Sequence, residues 1–109
     1  MPRPCCLRRV GAAPIAAVFK PAGIPARDLE QVAMTLDEFE AIRLADREGL
    51  QQEEAALRMG ISRPTFGRIL AAARAKLAET VVCGKALLIE GGPVTTCRRA
   101  RPPEQGETR

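Results

Sequence analysis

Residues 52–71 read QEEAALRMGISRPTFGRILA, and this stretch decides the fold. Ala55 and Ala56 open an amphipathic run that stops at Met59. Gly60, Ile61 and Ser62 interrupt it, and a second run starts at Arg63. Two helices joined by a three-residue turn that contains glycine make a helix-turn-helix. Each position has a physical reason. Ala56 is small where the two helices must cross closely. Gly60 can enter the left-handed region that halts the first helix. Ile61, Phe66 and Ile69 supply apolar anchors for the turn and the second helix. Ser62 is a good N-cap. Pro64 falls in the first turn, where its missing N–H costs little.

Working outward, the second helix is expected over residues 63 to about 80, with Gly84 as terminator. Phe66, Ile69, Leu70, Ala73 and Leu77 form one apolar stripe at 100° per residue. The opposite face carries Pro64, Arg68, Ala71, Ala72 and Ala75, while Arg63, Arg74 and Lys76 lie on its flanks. The first helix of the pair spans residues 50–59, with Ala55, Ala56 and Met59 inward and Gln51, a poor cap, at its N-cap. An earlier helix is expected over residues 35–49. Thr35 and Glu38 make a capping box, Met34 and Phe39 stand at the staple positions, and Gly49 ends the helix. Asp37 and Glu38 favour its positive start. Leu36, Phe39, Ile42 and Ala45 recur every three residues and should be its buried stripe.

The flanks are less regular. Residues 15–19 and 85–90 (KALLIE) read as short strands that would pair with each other, within one subunit or across a dimer, since neither could stand alone. Residues 21–25 are turn-rich, and residues 27–32 form one helical turn or stay irregular. Residues 1–14 read as a mobile basic arm, and residues 93–109 as a polar, disordered tail. The expected architecture is mainly α: a helix-turn-helix domain over residues 15–92, with a small two-stranded β element.

A chain of 109 residues makes one domain with a modest core. Phe19, Phe39 and Phe66 are its only aromatic residues, so aliphatic side chains must supply the packing. There is no histidine, which removes the commonest general base and metal ligand. With no phosphate loop and no clustered carboxylates, an enzyme is not expected, nor is a cofactor. Cys5, Cys6, Cys83 and Cys97 form no C-x-x-C pair, so no zinc site is expected and the thiols read as reduced. Effector or redox sensing through them is a side hypothesis. No apolar run reaches the roughly 18 residues of a membrane span, and a cytoplasmic protein is expected.

The formal net charge of +4 says little, but its distribution says more. Residues 1–27 hold five basic and no acidic residues. Residues 28–57 hold nine acidic and two basic, and residues 58–85 hold six basic and one acidic. The basic block therefore coincides with the second helix. A B-DNA major groove about 12 Å wide admits one α-helix, provided its outer face is not bulky. Arg68 would meet a guanine edge or a phosphate. Arg63 and Thr65 sit at the helix start, where such helices reach base edges. Gly67 and Ala71 would allow close approach, and Ala71 a thymine methyl. Ser62 would offer a phosphate contact beside Pro64, and Arg74 and Lys76 suit phosphates. Arg3, Arg8 and Arg9 read as a solvated terminus rather than a minor-groove arm. Double-stranded DNA is the expected partner, bound by a homodimer, because one small reading head rarely gives enough contacts. The competing reading is an interaction module that docks on transcription machinery, RNA polymerase included, through its acidic first helices.

The chain also resembles a family of small prokaryotic proteins catalogued as candidate DNA-binding proteins (UPF zero-two-five-one, domain of unknown function one-three-four). The resemblance rests on MPRP and RRV near the N-terminus, FKPAGIP at 19–25 and MTLDEFEAIRLADREGL at 34–50. It continues through QEEAALRMGISRPTFGRIL at 52–70 and GKALLIEGG at 84–92. It implies a helix-turn-helix related to region four of bacterial sigma factors. It names no regulated gene and no ligand. The chain departs from the family at Gln51, where a better capping residue is usual, at Pro64, and in the small apolar run 11–17.

Overall fold

The computed structural model describes residues 8–11, 13–92 and 94–96. In chain order they form β1 (Arg8–Val10), β2 (Val18–Phe19), a 3-10 turn (Ala26–Asp28), β3 (Gln31–Met34) and α1 (Leu36–Ile42). A π-helical segment (Arg43–Arg47), α2 (Gln52–Met59), α3 (Arg63–Cys83), β4 (Ala86–Ile89) and β5 (Val94–Thr96) follow. The mainly α architecture with a small β element is the expected one.

A chain short of aromatic side chains needs one element that packs on several others, and α3 is that element. Its first half sends Phe66 and Leu70 into a cluster with Ala41, Leu44, Ala55, Ala56 and Met59. Its second half sends Ala73 into a cluster with Val32, Met34, Leu87 and Ile89, flanked by Leu77 and Phe39. Ile42 packs against both clusters. The stripe expected on α3 is therefore the inward one. Ala55, Ala56 and Met59 of α2 are likewise buried.

The strands expected at 15–19 and 85–90 do pair within one chain, antiparallel, with Val18 opposite Leu88 and Phe19 opposite Leu87. The sheet has a third strand. β3 runs parallel to β4 on its other side, from Gln31 opposite Ala86 to Met34 opposite Ile89. The connection between them is the whole helical block. β4 is central and reads as a nearly continuous apolar run, as a strand covered on both faces should. The segment 27–32, expected as a helical turn or irregular, thus divides into the end of a 3-10 turn and the start of β3. β1 and β5 form a separate parallel ladder with Arg8 opposite Val94, so residues 8–10 and 94–96 are ordered by each other where an arm and a tail were expected. The rest of the expected arm and tail lies largely outside the described residues.

The expected helix over 35–49 starts as anticipated. The Thr35 N–H donates to Glu38 Oε1 at 2.9 Å, and the Thr35 hydroxyl donates to Asp37. It does not stay α-helical. From Arg43 the turns widen, and the Glu48 N–H donates to the Arg43 carbonyl, five residues back, at 2.8 Å. Gly49, with φ +78°, ends the element.

The expected stripe of α1 packs on the two clusters, but a second face of the helix is buried more deeply. Asp37, Glu40 and Ala41 are buried, whereas Leu36, Phe39 and Ile42 are only half-buried. The cause is the chain segment that lies beside β1. Glu40 Oε2 accepts from the Gly11 N–H at 3.0 Å, and Arg43 closes on both Glu40 oxygens at 2.8 and 2.7 Å. Arg8 lies 3.6 Å from Asp37. A buried carboxylate is tolerable when its lone pairs are taken up in this way. Gly11 allows the approach, because a Cβ there would come within 2.7 Å of the Arg43 guanidinium.

Three stability outcomes follow from this packing. Phe66→Ala, at a fully buried side chain, should cost about 3–5 kcal/mol in urea denaturation. Glu40→Ala strips partners from the Gly11 N–H and Arg43, and should cost about 2 kcal/mol. Glu54→Ala, which removes only an exposed pair with Arg58, should change stability by less than about 0.5 kcal/mol.

Candidate nucleic-acid interface

α2 ends at Met59 and α3 begins at Arg63, so three residues make the bend. Gly60 takes φ +71°, and its N–H closes the α2 C-terminus on the Leu57 carbonyl at 3.1 Å. The Ile61 N–H donates to the Ala56 carbonyl at 3.0 Å, which completes the C-terminal capping. Ser62 is the N-cap of α3. Its Oγ accepts from the Thr65 N–H at 3.3 Å, and its hydroxyl donates to Thr65 Oγ1 at 2.9 Å. Arg68 reaches back one turn, and its Nη2 donates to the same Thr65 oxygen at 3.3 Å. A chain of polar contacts thus draws the Arg68 guanidinium toward the N-terminal end of α3. Ser62, Arg63, Pro64 and Arg68 are exposed, and Thr65 is half-exposed. Neither Arg63 nor Arg68 has an ion-pair partner among the described residues. Ser62, Pro64, Thr65 and Arg68 form one outward-facing group, and Arg63 stands on its flank, on the side of Arg74.

The remaining site residues read from the sequence lie elsewhere on α3. Ala71, together with Ala72 and Ala75, is exposed and continues the face without bulk. Gly67 lies on the flank toward α2, where a Cβ would sit 3.5 Å from Gln52 Oε1, so its smallness serves helix packing as well. Arg74 is engaged. Its Nη2 and Nε donate to the Asp46 carboxylate at 2.7 and 3.1 Å, joining α3 to the π-helical segment. The hydrogen bonds and the charge of Arg74 hold the Asp46 carboxyl below its ordinary pKa, and Asp46 raises that of Arg74 in return. Lys76 donates to Glu38 Oε1 at 2.7 Å and so joins α3 to the start of α1. Both cations lie in the basic block, yet each already has a carboxylate partner.

Two features beside the exposed group go beyond the sequence reading, which places Arg9 only in a solvated terminus. The first is Arg9 on β1. A Cβ placed on Gly60 would stand 3.0 Å from its guanidinium, so this exposed arginine rests against the bend. The contact spans about half the chain, and no local pattern announces it. The second is a cleft of about 400 Å³ lined by Leu50, Gln51, Gln52, Glu53, Arg63 and Arg74, among others. It opens where α2 begins without a side-chain cap hydrogen bond at Gln51. Uncapped helix N–H groups suit an anion, although Glu53 and Glu54 in the first turn of α2 oppose one.

No group of three or more potential metal-ligating side chains is found among the described residues. No helix of the described residues is long and apolar enough to cross a membrane. Cys83 is exposed at the end of α3. Cys5, Cys6 and Cys97 lie outside the described residues.

Comparison with known proteins gives a family. Residues 1–97 match the model of DUF134, described as a protein of unknown function. The chain is 52% identical to a UPF0251 protein of Moorella thermoacetica, covering 97% of its own length and 77% of that relative. It is 55% identical to a UPF0251 protein of Desulforudis audaxviator over 84% of its length, and spans only 60% of that longer relative. It is 49% identical to UPF0251 protein cbdbA217 of Dehalococcoides mccartyi, covering 96% of itself and 94% of the relative. No solved structure matches it. With the family model spanning nearly the whole chain and relatives at half identity, the chain belongs to the DUF134 family of UPF0251 proteins.

Proposed function

We propose that this protein binds duplex DNA through the start of α3, using α2, the bend at Gly60 and α3 as a helix-turn-helix of the kind found in sigma factor region four, and that it regulates transcription as a homodimer. The observation that supports this reading is the exposed group at the first turns of α3. Arg63 and Arg68 stand there without carboxylate partners among the described residues, Arg68 on a face otherwise made of Pro64, Ala71, Ala72 and Ala75 and Arg63 on its flank. Such a face lets a helix enter a major groove and leaves two guanidinium groups for base edges or phosphates. Thr65 orients Arg68 beforehand, which reduces the side-chain entropy lost on binding. Arg9 beside the bend suits a flanking phosphate.

Arg74 plays a conditional part in this scheme. A phosphate would have to compete with Asp46 for it, so its contribution to affinity is smaller than its place on the helix suggests. Lys76 is held by Glu38 in the same way.

Fluorescence anisotropy with a labelled random duplex tests the reading. The Arg63→Ala/Arg68→Ala variant should bind at least about tenfold more weakly, with the log–log salt slope shallower by about 2. Unchanged binding in that variant would rule the α3 face out and favour docking on transcription machinery through the exposed acids Glu48, Glu53 and Glu54. Asp46→Asn should act in the opposite sense. It frees Arg74, and duplex affinity should rise severalfold with the salt slope steeper by about 1.

A further inference from the structure

Side chains alternate along β1. Arg8 turns inward to within 3.6 Å of Asp37, and Val10 turns inward to a core position that is 1% exposed. Arg9, between them, faces the other way and is exposed. Its guanidinium lies against the bend between α2 and α3. A Cβ on Gly60 would stand 3.0 Å from Arg9 Nη2 and 3.2 Å from Nε, so the glycine permits this approach as well as its own φ of +71°. No hydrogen bond or ion pair of Arg9 is found among the described residues.

The charge around the bend is one-sided. α1 and α2 each carry two acidic residues in the first turn, whereas α3 carries none and starts on Arg63. A cation at that position faces the positive end of the helix dipole, a repulsion that an approaching anion relieves. Arg63 is three residues beyond Gly60, so the two Cα atoms are at most about 11 Å apart. Arg9, Arg63 and Arg68 therefore bring three guanidinium groups to one end of α3, none with a carboxylate partner among the described residues.

We infer that Arg9 is a third duplex-contacting residue, held by β1 toward a backbone phosphate beside the start of α3, and that duplex binding tightens the pairing of β1 with β5. The inference rests on the helix-turn-helix reading above and adds to it a residue from a different element. Two arguments select a phosphate rather than a base edge. A major groove is about 12 Å wide, so a group set off from the helix start by the length of the bend meets the groove wall, where the phosphates stand. A guanidinium without an internal acceptor also offers a fork of N–H donors that matches two phosphate oxygens.

The link to β5 follows from the topology. The ties of Arg8 to Asp37 and of the Gly11 N–H to Glu40 hold β1 to α1 on either side of Arg9. The main chain at Arg9 itself is aligned by its place opposite Thr95. Three residue pairs between segments distant in sequence, in a sheet of two strands, make a ladder that opens locally at little cost. A duplex that uses Arg9 in place binds the closed ladder better than the open one and shifts the equilibrium toward it.

The labelled random duplex is again the probe. Arg9→Ala should bind severalfold more weakly, with the log–log salt slope shallower by about 1, and Arg9→Lys, which keeps the charge, should retain the slope. Both variants should keep the circular dichroism of the unaltered protein, because the side chain is exposed. Hydrogen exchange gives an independent readout. At saturating duplex, the backbone amides of residues 8–10 and 94–96 should exchange severalfold more slowly in the unaltered protein and show no such change in Arg9→Ala. An Arg9→Ala variant with unaltered affinity and slope overturns the inference, as does protection of these amides that is equal in the two proteins. If Arg63→Ala/Arg68→Ala weakens binding and Arg9→Ala does not, the inference fails and the helix-turn-helix reading stands. If neither weakens it, both fail.

Discussion

The structure depends on one constraint: a single helix serves two cores. At 1.5 Å per residue, the 21 residues of α3 run about 31 Å. The half carrying Phe66 and Leu70 closes the helical cluster, and the half carrying Ala73 and Leu77 covers the sheet. Because the inward stripe is used along most of its length, the helix has no freedom to rotate about its axis without emptying both cores. Its outward face is fixed by the same demand. Pro64, Arg68, Ala71 and Ala75 are outward because Phe66, Leu70 and Ala73 are inward. The proposed interface therefore inherits its rigidity from packing rather than from contacts of its own.

Electrostatics then decide which cations remain available. The acidic block from residue 28 to residue 57 does not simply face solvent. Glu38 takes Lys76, Asp46 takes Arg74, and Glu40 takes Arg43 and the Gly11 N–H. These contacts fasten α1, the π-helical segment and the N-terminal strand to one another and to α3. Exposed members of the set contribute little to stability individually, whereas Glu40, being buried, is costly to leave without a partner. Their larger effect is on the surface charge. They neutralise the middle of α3 and concentrate unpaired positive charge near its start.

The part of the fold made by local chemistry was legible in the sequence. The boundary between α2 and α3 was readable to the residue, because Gly60, Ser62 and Pro64 each act within one turn of chain. Gly49 and Gly84 marked their helix ends for the same reason, and the β2–β4 pair was visible as two short apolar runs. What was missed is non-local. β3 shows only four residues of alternation, Gln31 to Met34, next to a turn-rich connection. β1 and β5 exist only by pairing with each other. The deeper burial of Asp37 and Glu40 beside the apolar stripe of α1 was missed, because residues 8–11 cover them and no helical wheel can anticipate that. Around the start of α3, Ser62, Pro64, Thr65 and Arg68 share an exposed face and Arg63 lies on its flank, a placement that helical spacing alone dictates. The partners of Arg74 and Lys76 stand 28 and 38 residues away, and Arg9 reaches the bend from β1.

The pairing of β1 with β5 also bears on the order in which the molecule assembles. It joins residue 8 to residue 94 and so closes nearly the whole chain into a ring. By polymer statistics that closure costs about 4 kcal/mol, more than three pairs of short-strand residues offset in an unfolded chain. The clasp is therefore a late event, formed after the helices and β4 have brought the two segments near each other. Arg9 rides on that clasp, so the bend at Gly60 acquires its guanidinium neighbour only once residues 8–10 and 94–96 have met.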